Sequence, residues 1–247
     1  MSDTVSDHSA DHQHSALQTY YSEYLINVKH TTRSTVGHYR GALDRISEML
    51  REKNLVQNSI YEINNIEKLF ELRQIIELDP QFIEMNRRGN RMYRAALNNY
   101  CQFASGDAFE NIRDDIEKLD TPQPKAVNRL EWGRSDILRR QVIASADYLC
   151  DIDHSHESFI SERTNEPYME GHHAIPLRNQ KNFEYSLDVY ANIVCLCPIC
   201  HRKIHYGLVI EREKMIHQIY FERIGRLRNS GIDVDMEKFT DLAMTSR

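Results

Sequence analysis

Side chains that can bind metal are concentrated in one stretch of this chain, between residues 172 and 205. The stretch begins with the adjacent pair His172 and His173 and ends in CPICHRKIH, where His201 and His205 stand four apart. On a helix, at ~100° per residue, side chains four apart project from nearly one face, so both can reach one ion. The spacing therefore predicts a metal site.

A second set of metal-binding side chains lies just before this histidine pair. Cys197 and Cys200 have the C-x2-C spacing of half a tetrahedral zinc site, whose other half must come from elsewhere in the chain. The five cysteines are an odd number, and four of them fall between Cys150 and Cys200, which favours zinc in a reducing compartment over disulfides. Cys195 is better interpreted as a small buried side chain.

The order of these residues resembles a known family. His172 and His173, then Asn192, then His201 are similar to the histidine, asparagine and histidine of the HNH (ββα-metal) nucleases. The flanking sequences HHAIPL and NIVCLCPICHRKIHYG resemble the zinc-stapled branch to which McrA-type restriction enzymes belong. The resemblance covers roughly residues 134–206. It implies a two-stranded hairpin and a helix that together hold one catalytic cation.

The resemblance also implies a role for each residue of the motif. His173 is expected to be the general base, and His172 and His201 are expected to bind the catalytic cation, with His205 as a third ligand. Asn192 is expected to hydrogen-bond across the loop between the strands and to hold the His173 backbone. Three imidazoles form a softer site than carboxylates, so Mn2+, Co2+ or Ni2+ can serve as well as Mg2+.

The chain departs from the family pattern at the first half of the structural zinc site. Where a second C-x2-C is expected, Cys150 is followed by Asp153, His154 and His156. Carboxylates and imidazoles both bind zinc, so the fourth ligand stays open among these three. We favour Asp153, because its i+3 spacing matches the missing cysteine, with His154 as the next choice. Loss of this zinc is the remaining alternative.

The elements that must position these residues are predicted to be mostly helical. Apolar residues recur at helical spacing from Ser15 to Ala104, and Ser135 can cap a further helix. A strand ending at Leu196 leads into the metal-binding helix, and more helices follow it. We predict an α+β, mostly helical fold, in which an N-terminal helical domain precedes a C-terminal ββα-metal (HNH) nuclease domain with a structural zinc site.

The chain is long enough for two domains. Pro122 and Pro124 break the helical pattern, which predicts an extended linker. The predicted division is listed here: a disordered tail at 1–14, a helical DNA-recognition domain at 15–120, a linker at 121–133 and the nuclease domain with its C-terminal helices at 134–247.

The formal net charge of −6 means that any surface for DNA must be local. Arg87, Arg91 and Arg94 recur at helical spacing on a helix predicted from about residue 88 to residue 104, and we expect them to contact the DNA backbone. We also assign Arg202 and Lys203, beside the metal ligands, to DNA binding.

The sequence holds no apolar run of the ~18 residues that a membrane span requires, and its N-terminus is polar. We therefore expect a cytoplasmic protein with no membrane partner.

Hydrolysis of a phosphodiester needs a base, a cation and a group that orients the base, and the motif offers one candidate for each. We expect a metal-dependent endonuclease acting on double-stranded DNA, and a restriction enzyme with sequence- or modification-dependent recognition. A homodimer is the simple route to a double-strand cut. The alternatives are a catalytically inactive, zinc-bearing nucleic-acid-binding module and a protein-interaction scaffold.

Overall fold

The computed structural model describes residues 16–106, 109 and 135–244. The predicted tail at 1–14 and the predicted linker at 121–133 lie outside these residues. The α-helices and β-strands of these described residues are, in order, α1 (Ala16–Glu23), α2 (Arg33–Glu52), α3 (Ile66–Leu78), α4 (Pro80–Arg88), α5 (Met92–Ser105), α6 (Asp136–Ser145), β1 (Glu170–His173), β2 (Ile193–Leu196), α7 (Pro198–Tyr206), α8 (Val209–Asn229) and α9 (Met236–Met244). The mostly helical α+β class with one small sheet confirms the prediction.

Helices α1 to α5 form one helical layer around an aromatic core. Tyr21 and Tyr100 pack edge to face with ring centroids 5.3 Å apart, and Phe103 lies against both rings. Side chains cap the helices as expected for their types: Thr32 accepts from the Thr35 backbone N–H at the start of α2, and Asn65 caps α3.

The helix predicted from about residue 88 to residue 104 is broken at its start. Asn90 and Arg91 have φ of 50° and 66°, in the left-handed region that does not continue a helix. The Asn86 side chain holds the break, because its Oδ1 accepts from the Arg94 backbone N–H at 3.0 Å. The prediction of one continuous helix is therefore wrong.

The three arginines predicted for one helix face consequently do not share one. Arg87 belongs to α4, Arg91 precedes α5 and Arg94 lies in its first turn. Arg87 also donates two hydrogen bonds of 2.8 Å to the Glu84 carboxylate. The prediction of a single arginine face is corrected, because it assumed an uninterrupted helix.

Helix α6 packs against the hairpin on one side and against α5 of the helical layer on the other. The Ser135 side chain caps it by accepting from the Leu138 backbone N–H at 3.2 Å. From the middle of α6, the Gln141 side chain accepts a 2.7 Å hydrogen bond from the hydroxyl of Tyr190. The Tyr190 ring also contacts Tyr20 of α1, with centroids 4.4 Å apart. The helical layer and the hairpin therefore share one buried core.

Strands β1 and β2 pair antiparallel, with His172 opposite Val194 and His173 opposite Ile193. The chain then turns directly into α7, whose N-cap is Cys197. This short connection places the end of β1 beside the helix that carries the second histidine pair.

A buried ion pair holds helix α8 against the hairpin. Arg223 of α8 lies 2.7 Å from the Asp151 carboxylate, and the two side chains are only 6% and 1% exposed. The same carboxylate accepts from the Cys195 backbone N–H of β2 at 2.8 Å.

In the part of the chain that the structure describes, no helix is long and apolar enough to cross a membrane.

Candidate metal and nuclease site

Three cysteines and one histidine converge where α6 ends and α7 begins. The ligand atoms of Cys150, His156, Cys197 and Cys200 all lie within 4.8 Å of one another. The Nδ1 atom of His156 is 3.3 Å from the Cys200 sulfur and 3.8 Å from the Cys197 sulfur. Three sulfurs and one imidazole nitrogen are a donor set that fits a closed, tetrahedral structural zinc site.

The electrostatics of this cluster also suit a cation. Burial, and then the neighbouring Cys150 thiol, raise the pKa of the Cys200 thiol well above its usual range. Thiolates packed this closely require a compensating positive charge, which a bound zinc ion would supply.

The structure brings His156, and neither Asp153 nor His154, to the three cysteines. The Asp153 carboxylate instead accepts from the Ser155 backbone N–H at 2.9 Å and from its hydroxyl at 2.7 Å. These hydrogen bonds lower the pKa of Asp153. The turn that they form carries the chain past Asp153 and His154 and directs His156 toward the cysteines. Our preference for Asp153, and for His154 after it, is therefore corrected to His156.

Three histidines form a second cluster across the hairpin and α7. The ligand atoms of His172, His201 and His205 lie within 4.8 Å of one another. Their three ring centroids are 4.9 to 5.1 Å apart. His201 and His205 are one turn apart on α7, and β1 delivers His172 to the same point. This donor set, three imidazoles beside a cavity, fits a catalytic cation that keeps open positions for substrate.

One carboxylate adjoins this cluster. Glu170 of β1 is hydrogen-bonded to the Nδ1 atom of His201. The Nε2 atom of His201 lies on the other side of the ring, 3.3 Å from Nε2 of His205. A carboxylate in this position orients a metal-binding imidazole and fixes its tautomer.

His173 has a carboxylate partner of its own. Its Nε2 atom lies 2.7 Å from Oδ1 of Asp188, and the two side chains are 6% and 16% exposed. The other oxygen of Asp188 accepts from the Ser135 backbone N–H at 2.9 Å. His172 and His173 are adjacent on a strand, so their side chains diverge: one joins the three-histidine cluster and the other meets Asp188.

Asn192 closes the loop between the two strands. Its amide nitrogen donates to the Ile175 and Leu187 carbonyls at 2.9 and 2.8 Å, and its Oδ1 accepts from the Ile175 backbone N–H at 2.8 Å. The side chain thus spans the loop as expected. It holds the backbone of Ile175 rather than that of His173, because His173 still belongs to the strand and its own backbone pairs with Ile193.

Comparison with known proteins agrees with this geometry. The family model for the HNH endonuclease matches residues 156–207. The chain carries an HNH endonuclease domain. A relative, the type IV methyl-directed restriction enzyme EcoKMcrA of Escherichia coli (strain K12), is 29% identical over 144 residues, which are 55% of this chain and 49% of the relative. Both findings agree with the resemblance to McrA-type HNH nucleases seen in the sequence. The chain spans about half the length of this relative, and no solved structure gave a significant match.

The HNH domain presents its histidines to a cavity of about 710 Å³. All four of its site histidines line the cavity, and so do five arginines: Arg139, Arg140, Arg163, Arg178 and Arg202. Lys203 instead forms a 2.7 Å ion pair with Glu211 of α8. Of the two basic residues predicted beside the metal ligands, the structure therefore places Arg202 at the cavity and pairs Lys203 with α8.

Sequence reasoning missed the two carboxylates that contact the site histidines, Glu170 and Asp188. Glu170 carried a usable signal, because it stands two residues before His172 and shares its face of the strand. Asp188 carried none, because it lies 15 residues after His173 in an irregular loop. Only the folded loop, closed by Asn192, brings it to the histidine.

Proposed function

We propose that this protein is a metal-dependent endonuclease that hydrolyses phosphodiester bonds of double-stranded DNA. One observation carries the proposal: the three-histidine cluster lines the same cavity as His173, whose ring contacts Asp188. A purely structural zinc protein needs neither arrangement, since the cysteine cluster already supplies the closed site. The inactive nucleic-acid-binding module is therefore the weaker reading.

In this proposal, different residues of the chain carry out proton transfer and cation binding. His173 accepts a proton from the attacking water, and Asn192 holds the loop that places it. His172, His201 and His205 hold the catalytic cation, which when bound stabilises charge on the phosphate and the leaving oxygen. The all-nitrogen donor set suits Mn2+, Co2+ or Ni2+ at least as well as Mg2+.

The structural zinc is assigned to the cluster of Cys150, His156, Cys197 and Cys200. A zinc ion bound there would tie the loop after α6 to the first turn of α7, the helix that carries His201 and His205. It would support catalysis indirectly, by fixing the helix whose histidines are assigned to the catalytic cation.

Contact with DNA phosphates is assigned first to Arg202 and the other cavity arginines, because the acidic chain concentrates positive charge there. We propose that the helical domain at 15–120 recognises the target, with Arg91 and Arg94 on its DNA side. Arg87 contacts DNA only if a DNA phosphate displaces its guanidinium from the Glu84 carboxylate.

The relative is a methyl-directed restriction enzyme, which supports a role in the restriction of methylated DNA. We propose the same biological role here, exercised on DNA in the cytoplasm, with a homodimer supplying two active sites for a double-strand cut.

The test uses methylated and unmethylated plasmid and phage DNA, incubated with the full chain and Mg2+, Mn2+, Co2+ or Ni2+, or with EDTA. The proposal predicts cation-dependent cleavage of at least one methylated DNA. DNA binding without cleavage of any substrate, with any of the four cations, would favour the inactive module.

A further inference from the structure

We infer that Asp188 is a positioning residue for the general base, holding His173 in the tautomer whose Nδ1 can accept a proton. The inference rests on the proposed function, in which His173 deprotonates the attacking water. It assigns a task to a residue that the HNH motif itself does not contain.

The contact itself fixes the tautomer. An ionised carboxylate only accepts hydrogen bonds, so the ring nitrogen 2.7 Å from Asp188 must carry the hydrogen. In a neutral imidazole the other nitrogen, Nδ1, is then the acceptor. Both side chains are largely buried, which limits competition from bulk water for this hydrogen bond.

Asp188 is itself held from two sides. Its second oxygen accepts from the Ser135 backbone N–H, at the start of α6. The residue before it, Leu187, is fixed through its carbonyl by Asn192. Because Asn192 also binds Ile175, two residues after His173, one buried side chain sets the spacing between the base and its carboxylate.

The proton transfer balances without further groups. As the water oxygen attacks phosphorus, Nδ1 takes its proton, the bond from phosphorus to the leaving oxygen breaks with its electron pair, and that oxygen gains a proton from solvent. The ring becomes an imidazolium beside an unchanged carboxylate, whose negative charge stabilises it.

Replacing Asp188 by asparagine should reverse the tautomer with little change in shape. Asparagine keeps one acceptor oxygen, and the buried Ser135 N–H needs it. The amide NH2 then faces His173, so Nε2 must become the acceptor and Nδ1 must carry the hydrogen. A ring in that state cannot take a proton from water at Nδ1.

The kinetic test compares wild type, Asp188→Asn and Asp235→Ala on a DNA that the wild type cuts. We expect Asp188→Asn to lower kcat by ~10² to 10⁴ with KM and DNA affinity within about twofold of wild type. Asp235→Ala removes the side chain that accepts from the Lys238 backbone N–H at the start of α9, away from the cavity. It should therefore lower Tm and preserve kcat. A kcat for Asp188→Asn within about threefold of wild type overturns the inference.

A second measurement does not depend on cleavage. Nitrogen-15 NMR of the imidazole rings reports which nitrogen carries the hydrogen, and His173→Ala identifies the His173 signals by their loss. We expect the Nε2–H tautomer in wild type and the Nδ1–H tautomer in Asp188→Asn. An Nδ1–H tautomer in wild type overturns the inference, even if the variant fails to fold.

The two measurements separate this inference from the proposed function. If wild type cuts no DNA but the tautomer reverses as expected, the nuclease proposal fails and the positioning by Asp188 stands. Suppose instead that wild type cuts DNA, that His173→Ala is inactive and that Asp188→Asn keeps the wild-type kcat. The nuclease proposal then stands, and only the inference about Asp188 is wrong.

Discussion

The two adjacent histidines at the end of β1 differ in what their rings contact, and this difference separates their roles. His172 faces two more imidazoles at ring distances of 4.9 and 5.1 Å, which suits a metal ligand. His173 faces a carboxylate, which suits a base. In the proposed mechanism, the neighbours of the two histidines, rather than their residue type, thus decide that His172 binds the cation and His173 accepts the proton.

At this scale, Glu170 gives the sharpest prediction. Glu170→Gln keeps the size of the side chain but removes the charge that orients His201, so we expect affinity for the catalytic cation to fall ~10- to 100-fold. Titration with Co2+ or Ni2+, followed by the visible absorption of the bound ion, measures it. Glu162→Gln, which removes the same charge from an exposed site, should leave affinity unchanged. Equal affinities for wild type and Glu170→Gln would contradict the assignment.

At the scale of elements, the cysteine cluster fastens α7 to the loop after α6. We predict that His156→Ala loses zinc and lowers Tm, whereas Asp153→Ala retains zinc, because only His156 reaches the cysteines. Elemental analysis of the purified variants and thermal unfolding check both changes. Retention of zinc in His156→Ala together with its loss in Asp153→Ala would restore the ligand that the sequence favoured.

The attachment of α8 to the hairpin gives a matched pair of substitutions on one helix. Arg223→Ala leaves the buried Asp151 carboxylate without its partner, so we expect a loss of about 3 to 5 kcal/mol of unfolding free energy. Arg228→Ala breaks an exposed ion pair with Asp233, which is worth at most ~1 kcal/mol. Urea denaturation measures both losses. Comparable small losses for the two variants would show that the buried pair does not hold α8.

Sequence reasoning succeeded where the determinants are local and failed where they are not. The Ser135 cap and the spacing of His201 and His205 follow from a few consecutive residues. The break before α5 depends on Asn86 reaching across a turn to Arg94, which no helical periodicity reveals. The fourth zinc ligand, likewise, depends on how one short turn directs His156.

For the whole molecule, the proposed function requires an acidic chain to bind an acidic polymer, which calls for a confined basic surface. We predict that Arg202→Ala weakens binding to all DNA sequences and lowers the slope of log affinity against log salt by ~0.9, as for one lost phosphate contact. Arg87→Ala should change this slope less, because Glu84 already holds the Arg87 guanidinium. Filter binding or fluorescence anisotropy over a range of salt concentrations gives the slopes. A change in sequence preference at constant slope would mean that Arg202 reads bases.

The central claim is that the three-histidine cluster holds a cation on which DNA cleavage depends. The most direct measurement is the cleavage rate of one DNA by EDTA-treated, dialysed protein as Mn2+ is added back, for wild type and His172→Ala, with zinc content checked in each sample. We predict that wild-type cleavage is abolished by EDTA and restored by Mn2+, while His172→Ala retains its zinc and stays inactive or needs far more Mn2+. Cleavage by His172→Ala at the wild-type rate and the wild-type Mn2+ requirement would contradict this account.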